Sequence, residues 1–379
     1  MTQRWLFSPG VDVLAFAGTA LLSFALVLLL PSLGVGADTP PWAFLIFVVF
    51  IDVAHVWSTL FRVYLDKAEL QRRPLLYAGA PLLAYGLGVA VHSISAEAFW
   101  RVLAYIAAWH FIRQQVGWMV LYGRRAGQQS QAARDDAERS GASAEVRRPS
   151  NTELNLDRAA IYAATLGPVV WWHAHLPRAF WWFREGDFVS GLPQWVGTLA
   201  LGIHAVVLVG WLAQALVLRR FHLGKTLLLF ATWLSWFGGI VLAQSDLAFT
   251  VMNVALHGVP YLVLLHRYAK GRDAEGGYGR LSWLLRAGLP GFLVVLWVLA
   301  FFEEFAWDRL VWHDHPMLFG AGGFEVEGAL LALLVPLLSL PQTTHYLLDG
   351  FIWKTKADPH LTARLGWAPA PHVDTVAAS

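Results

Sequence analysis

Long apolar runs constrain the fold of this chain more than any other feature. Runs of about 20 residues, the length of a helix that crosses a bilayer, recur about ten times. At that depth no water can bond the backbone, so each segment must satisfy its own N–H and C=O groups, as a helix does. The sequence therefore predicts an all-α, polytopic integral membrane protein. The ten runs are 11–32, 42–64, 74–94, 97–122, 157–176, 194–218, 225–243, 246–267, 281–302 and 327–352.

Lysine and arginine residues are distributed unevenly between the two sets of loops. They concentrate after the second, fourth, sixth, eighth and tenth runs. The opposite loops hold only Arg178, Arg184 and Arg309, with Arg101 just inside the fourth run. Loops rich in basic residues stay in the cytoplasm. The pattern therefore predicts that both termini are cytoplasmic, in a bacterial inner (cytoplasmic) membrane.

The remaining segments complete the predicted organisation. We expect residues 1–367 to form a single transmembrane helical bundle. Residues 123–156 mix Arg, Asp, Gln and Ser with few large apolar side chains, which indicates a flexible cytoplasmic loop. Residues 303–326 are predicted to form a non-cytoplasmic loop, and residues 368–379 a disordered tail.

The absence of cysteine limits the chemistry. With no cysteine in 379 residues, disulfides, thiolate metal ligands, iron–sulfur clusters and covalent c-type haem are excluded. A metal ion would have to be held by histidine, carboxylate or amide groups. A hydrophobic content of 57% with only 14% charged residues makes the lipid bilayer the expected partner, and no nucleic-acid partner is expected because the sequence has no nucleic-acid-binding signature.

Four histidines lie deep in four separate apolar runs. Ionisable groups at membrane depth are costly and by default indicate a functional site. Each histidine has a polar companion three or four residues away, a spacing that puts both on one helix face. Such a companion can accept the second ring N–H and orient the ring. The pairs are His55 with Asp52, His110 with Gln114, His257 with Asn253, and His345 with Asp349.

The predicted topology places these four rings in one layer. Their four helices run in the same direction, and each histidine lies about 7 to 12 residues from the inner end of its run. At 1.5 Å per residue this is roughly 10–18 Å from the cytoplasmic boundary. If the helices are neighbours, the rings converge. Four imidazoles suit a divalent transition metal, so we predict Fe(II), with zinc and copper as alternatives.

Arg113 follows His110 by three residues, at the same predicted depth. We predict a catalytic role for it, either as an anchor for an anionic substrate or bound oxygen species, or as a counter-charge for Asp52 or Asp349. His204, in the middle of the sixth run, is expected to be a packed or hydrogen-bonded residue.

The sequence around these histidines resembles one known family. The stretch from His345 to Trp353, His-Tyr-Leu-Leu-Asp-Gly-Phe-Ile-Trp, is similar to the last motif of the Brp/Blh membrane β-carotene 15,15′-dioxygenases. His110-Phe111 is similar to the second motif, and His257 through His266-Arg267 to the third. At His55 the match ends with the histidine. The resemblance implies one ferrous iron held by four histidines on separate membrane helices.

Three functions are consistent with the sequence. The first is a membrane-embedded non-haem iron oxygenase acting on a lipid or isoprenoid, and its reaction is similar to carotenoid cleavage. The second is a b-type haem cytochrome in which the histidines form axial pairs. The third is a transporter in which the polar layer forms a proton or substrate path.

Overall fold

All regular structure in the described residues is helical, so the predicted all-α class is confirmed. The computed structural model describes residues 5–139, 150–176, 183–184, 186–218, 221–243, 245–354, 358 and 360–367. The long helices are α1 Pro9–Leu33, α2 Pro41–Tyr64, α3 Pro74–Ile94, α4 Ala96–Arg139, α5 Asn151–His173, α6 Gln194–Val217, α7 Leu223–Leu242, α8 Asp246–Ala274, α9 Gly288–Trp312, α10 Gly328–Leu338 and α11 Leu340–Ile352.

Seven of these helices are long and apolar enough to cross a membrane: α1, α2, α3, α6, α7, α8 and α9. An eighth span results if α10 and α11, which meet at an angle of 41°, are taken together. The protein is thus polytopic and membrane-embedded, as predicted. The other two predicted spans coincide with α4 and α5, and the count of ten stays a prediction.

Two predicted loops are largely helical. The predicted loop 123–156 is wrong over much of its length, because α4 continues to Arg139 and α5 begins at Asn151. Glutamine, alanine, arginine and glutamate fill this part of α4, and all four favour helix without needing an apolar environment. The predicted loop 303–326 is wrong at its start, because α9 continues to Trp312. Residues 140–149 and the predicted tail 368–379 lie outside the described part of the chain.

Polar and special residues mark the helix ends. The Ser8 hydroxyl accepts a hydrogen bond from the Val11 N–H at the start of α1. Ser150 and Glu153 form a reciprocal capping box at the start of α5. Such caps bond N–H groups that have no partner inside the helix. Gly34 ends α1 with a φ of 78°, a left-handed conformation that favours glycine.

Prolines account for the break between α10 and α11. Pro336 lies inside α10, and Pro341 is the second residue of α11. Proline has no N–H to donate, and its ring crowds the preceding turn. The Ser339 hydroxyl, at the break, donates to the Pro336 carbonyl at 3.1 Å. The bend places His345 in the second turn of α11, a separately oriented helix.

The chain divides into two compact units. The first unit comprises Met1–Phe47 and Trp100–Pro260, and the second comprises Val48–Phe99 and Tyr261–Ser379. Within the first unit, α5 packs along α6 and α7, and α7 packs against α1. Within the second unit, α3 packs against α10 and α11, and α2 packs against α9 and α11. The predicted single bundle stays a prediction.

An ion-pair cluster forms in the second unit where α2 ends. We define it as Arg62, Asp66, Glu69, Arg272 and Asp358. The fully buried Arg62 guanidinium lies 3.2 Å from the Glu69 carboxylate and 3.1 Å from that of Asp358. Arg272 donates to Asp66, with one of the two bonds at 3.0 Å. A buried charge is tolerated only when it is paired in this way.

The pKa values of the two carboxylates that follow α2 lie below their ordinary values. Burial alone would raise the pKa of Asp66, but hydrogen bonds from Arg272 and from the backbone N–H groups of Glu69 and Ala68 bring it below its ordinary value. Burial likewise opposes ionisation of Glu69, whose pKa is nevertheless lowered by Arg62, by Arg72 and by a hydrogen bond from Tyr77. The cluster thus stabilises the fold through its charged form.

Candidate metal centre

Two of the four histidines lie against each other in the second unit. His55 is on α2 and His345 on α11, and these helices pack directly. Their ring centroids are 4.8 Å apart and their planes nearly perpendicular, at 84°. Both side chains are fully buried. Two imidazoles in this position either share hydrogen-bond partners or bind a common ion.

Neighbouring polar groups lie beside both rings. The Thr59 hydroxyl is hydrogen-bonded to Nδ1 of His345 at 2.8 Å, whereas Asp52 Oδ1 lies 3.4 Å from Nδ1 of His55, close to the ring but without a hydrogen bond between these two atoms. A partner on Nδ1 directs Nε2 of the same ring toward a metal and selects the tautomer. Asp52 is therefore the predicted companion that faces its own histidine. Thr59 takes the place at His345 that we had predicted for Asp349.

Asp349 instead anchors an aromatic pair. Its Oδ1 accepts hydrogen bonds at 2.8 Å from the Tyr261 hydroxyl and at 2.8 Å from Nε1 of Trp353. The Tyr261 ring meets both histidines of the second unit edge-on, at 5.7 Å from His55 and 5.4 Å from His345. Asp349 thus acts on the histidines through the position of Tyr261.

The other two histidines lie together in the first unit. The ring centroids of His110, on α4, and His257, on α8, are 5.0 Å apart with planes at 79°. Phe111 stacks on the face of His257 at 3.6 Å and 9°. Both histidines are buried, at 5% and 0% exposure. The stacking restricts rotation of the His257 ring.

The predicted companions in the first unit bond to backbone groups. Gln114 Nε2 donates to the His257 carbonyl at 2.7 Å, in place of the predicted contact with the His110 ring. Asn253 Nδ2 is 3.3 Å from the Ser235 carbonyl on α7, in place of the predicted contact with His257. Helical spacing identifies residues on one face but not the groups that neighbouring helices offer. Both amides therefore fix the backbone of the site and leave ring orientation to other contacts.

The four histidines form one buried group, as we predicted. One ligand atom from each of His55, His110, His257 and His345 lies within 4.8 Å of all the others. Two nitrogens bound to one ion at about 2.1 Å can be at most about 4.2 Å apart. The widest spacing allowed by the 4.8 Å bound exceeds that limit by about 0.6 Å. Four imidazoles are a donor set that suits a transition-metal ion, and their grouping makes these four candidates to hold one.

Arg113 is not part of this group. Its side chain is exposed, donates a hydrogen bond to the Tyr162 hydroxyl on α5 and lies over the Trp109 ring. These contacts place its charge on the surface of α4, whereas the neighbouring His110 is buried. The catalytic role of Arg113 stays a prediction, without support from its position.

Two residues beside the site were missed by the sequence reasoning. Thr59 follows His55 by four residues, and Tyr261 follows His257 by four, so both carry the helical spacing that we applied to other companions. Each was overlooked because it serves a histidine on a different helix. His204, by contrast, is hydrogen-bonded to the Ala163 carbonyl at 2.8 Å, which confirms that it is a packed residue.

Comparisons with known proteins found no relative of this chain: no protein-family model matches it, and no match was found among curated proteins or solved structures.

Proposed function

We propose that His55, His110, His257 and His345 hold one iron ion in a membrane-embedded oxygenase that acts on a lipid or isoprenoid. The observation that carries this proposal is the spacing of the four buried ligand atoms, all within 4.8 Å of one another. Four imidazoles gathered for hydrogen bonding alone would not need a common centre. The resemblance to the Brp/Blh dioxygenases adds support for iron.

The charges around the group favour a divalent ion. Four neutral imidazoles leave the charge of a divalent cation uncompensated, which is costly at low dielectric. Asp52 lies 3.4 Å from His55, and Asp349 is held beside the same histidine pair by Tyr261. In their ionised form, these two carboxylates would offset the two positive charges of such an ion.

Iron fits the proposal better than zinc for a reason of coordination number. Zinc with four protein ligands forms a closed tetrahedral site. Iron would accept up to six ligands, so a site with four imidazoles would leave positions open, and ferrous iron would supply the chemistry that activates oxygen. In this chain the Thr59 hydroxyl is hydrogen-bonded to His345, the Asp52 carboxylate lies beside His55, and Phe111 restrains a third ring.

The grouping disfavours the haem alternative. In a b-type cytochrome two histidines bind haem iron from opposite faces, and the porphyrin fills the plane between them. Here the other two imidazoles lie within 4.8 Å of that pair, in the space that a porphyrin needs. A transporter with a proton path remains the competing function, and it requires no bound metal.

A substrate from the bilayer suits the position of the group. All four histidines are buried, and His55 and His257 lie in helices that are long and apolar enough to cross a membrane. A lipid-soluble molecule can reach such a centre from the membrane without crossing water. Carotenoids and other long isoprenoids are the substrate class that we propose, in a bacterial inner membrane with both termini cytoplasmic.

Metal analysis of purified protein tests the centre directly. We expect about one iron per chain in the wild type and a loss of most of it in His110→Ala and His345→Ala. His204→Ala is the matched control, because His204 is a buried membrane histidine outside the group. A wild type without stoichiometric metal would contradict the proposal and favour the transporter.

Oxygen uptake tests the reaction. Iron-loaded protein in lipid nanodiscs should consume oxygen when supplied with a carotenoid and not when supplied with a saturated lipid of similar length. His345→Ala should abolish this uptake. If the protein binds iron but consumes no oxygen with any isoprenoid, the proposed metal centre would stand and the proposed substrate class would be rejected.

A further inference from the structure

A pocket in the first unit lies where apolar helices become charged. Its volume is about 290 Å³, and it opens beside the part of α4 that follows Tyr122. There the sequence changes from Val-Leu-Tyr to Gly-Arg-Arg. On α5 the change occurs at Asp157 and Arg158. If α4 and α5 cross the membrane, as the sequence predicts, both changes mark the boundary between hydrocarbon and water, where lipid headgroups lie.

The charged groups around this pocket are mostly cationic. Arg124 and Arg158 line it, together with Asp157. The Asp157 carboxylate is already paired, with Lys225 Nζ at 2.5 Å and with Trp211 Nε1 at 2.9 Å. The charged side chains that line the pocket are thus two arginines and one aspartate, and the aspartate is paired with Lys225. An anionic group is attracted to such a place.

The rest of the lining is apolar. Met119, Val120 and Leu154 form an apolar wall. Gly127 leaves part of the pocket open, since a Cβ there would meet nothing within 4 Å. A free phosphate would gain nothing from an apolar wall, whereas the glycerol and upper acyl chain of a phospholipid would pack against it.

We propose that this pocket binds the headgroup of an anionic phospholipid, with the phosphate between Arg124 and Arg158. Arginine presents several donors in a plane and so suits phosphate oxygens. Basic pockets between membrane helices are known to hold lipid headgroups of this kind. The inference is independent of the metal centre, because none of the four histidines lines the pocket.

Binding of short-chain lipids to delipidated protein in detergent tests this inference. Dioctanoyl phosphatidylglycerol should raise the midpoint of thermal unfolding in a saturable way. Dioctanoyl phosphatidylcholine and inorganic phosphate should have little effect. Equal effects of the two lipids would overturn the proposal, and an equal effect of inorganic phosphate would assign the pocket to a free anion.

Variants distinguish lipid binding in the pocket from nonspecific attraction of the lipid to the positive charges of the protein. Arg124→Gln with Arg158→Gln should weaken the apparent affinity for phosphatidylglycerol at least about 10-fold, as loss of two charge-assisted contacts requires. Arg286→Gln removes an exposed charge elsewhere and should leave the affinity unchanged. Gly127→Leu fills the pocket without changing charge and should also weaken binding, whereas Gly79→Leu, at another open glycine, should not. Unchanged affinity in both Gly127→Leu and the arginine variant would reject the site.

Discussion

At the scale of single residues, Thr59 shows that a ring of the proposed metal centre can be hydrogen-bonded by a polar group on another helix. Its hydroxyl is bonded to Nδ1 of His345, while Asp349, four residues beyond that histidine, is bonded to Tyr261. The sequence predicted the histidines correctly because a buried imidazole is costly wherever it lies. Their partners could not all be predicted, because a hydrogen bond depends on which helices are adjacent.

The role of Thr59 can be measured through metal affinity. Thr59→Val keeps the shape of the side chain and removes the hydroxyl, so His345 loses the group that fixes its tautomer. We expect iron affinity to fall about 10- to 100-fold. Thr59→Ser restores the hydroxyl and should restore most of the affinity. Competition with a chelator of known affinity measures both, and equal affinities in all three proteins would contradict the assignment.

At the scale of helices, the sequence predicted where helices occur better than it predicted where they end. The apolar runs predicted which segments are helical. They did not predict that α4 would continue to Arg139 or that α9 would continue to Trp312. Residues with high helix propensity extend α4 beyond its apolar run. In α9, the buried Glu303 carboxylate accepts a hydrogen bond from Trp57 at 2.6 Å. Trp57 lies on α2, so the local sequence of α9 does not reveal this partner.

Close packing between α5 and α6 gives a prediction at this scale. A Cβ on Gly167 would lie 2.8 Å from the Cβ of His204, closer than van der Waals contact allows. Gly167→Ala should therefore separate the helices and lower the free energy of unfolding by about 1–3 kcal/mol. Gly202→Ala is the control, because a Cβ there meets nothing within 4 Å and alanine favours helix. Unfolding in mixed micelles measures both, and a Gly167→Ala protein as stable as Gly202→Ala would refute the packing argument.

At the scale of the whole molecule, the ion-pair cluster predicts loss of stability in acid. The pKa values of Asp66 and Glu69 are lowered in the folded protein. Groups of this kind contribute stability above their unfolded pKa, about 3.9 and 4.3, and lose it as the pH falls through the folded value. The midpoint of thermal unfolding should therefore drop below about pH 4.

A variant assigns this acid sensitivity to the cluster. Asp66→Asn should be less stable than the wild type at pH 7, and its stability should vary less with pH below about 4. Glu327→Gln, which removes an exposed carboxylate outside the cluster, should follow the wild-type curve. If Asp66→Asn keeps the full pH dependence, other carboxylates cause the acid sensitivity.

The topology as a whole depends on whether α4 and α5 cross the membrane, and one position distinguishes the two arrangements. If both cross, as the positive-inside pattern predicts, Thr152 lies in the cytoplasm. If only the other spans cross, Thr152 lies outside, while the orientation of every later helix is the same. The chain has no cysteine, so Thr152→Cys supplies a single label site at an exposed position. A membrane-impermeant maleimide should label it only after the cells are opened.

Lys67→Cys, cytoplasmic in both arrangements, and Gly36→Cys, outside in both, are the controls. Labelling of Thr152→Cys in intact cells would reduce the count from ten spans to eight. It would also place the charged part of α4 on the opposite face from the basic loops that now predict its orientation.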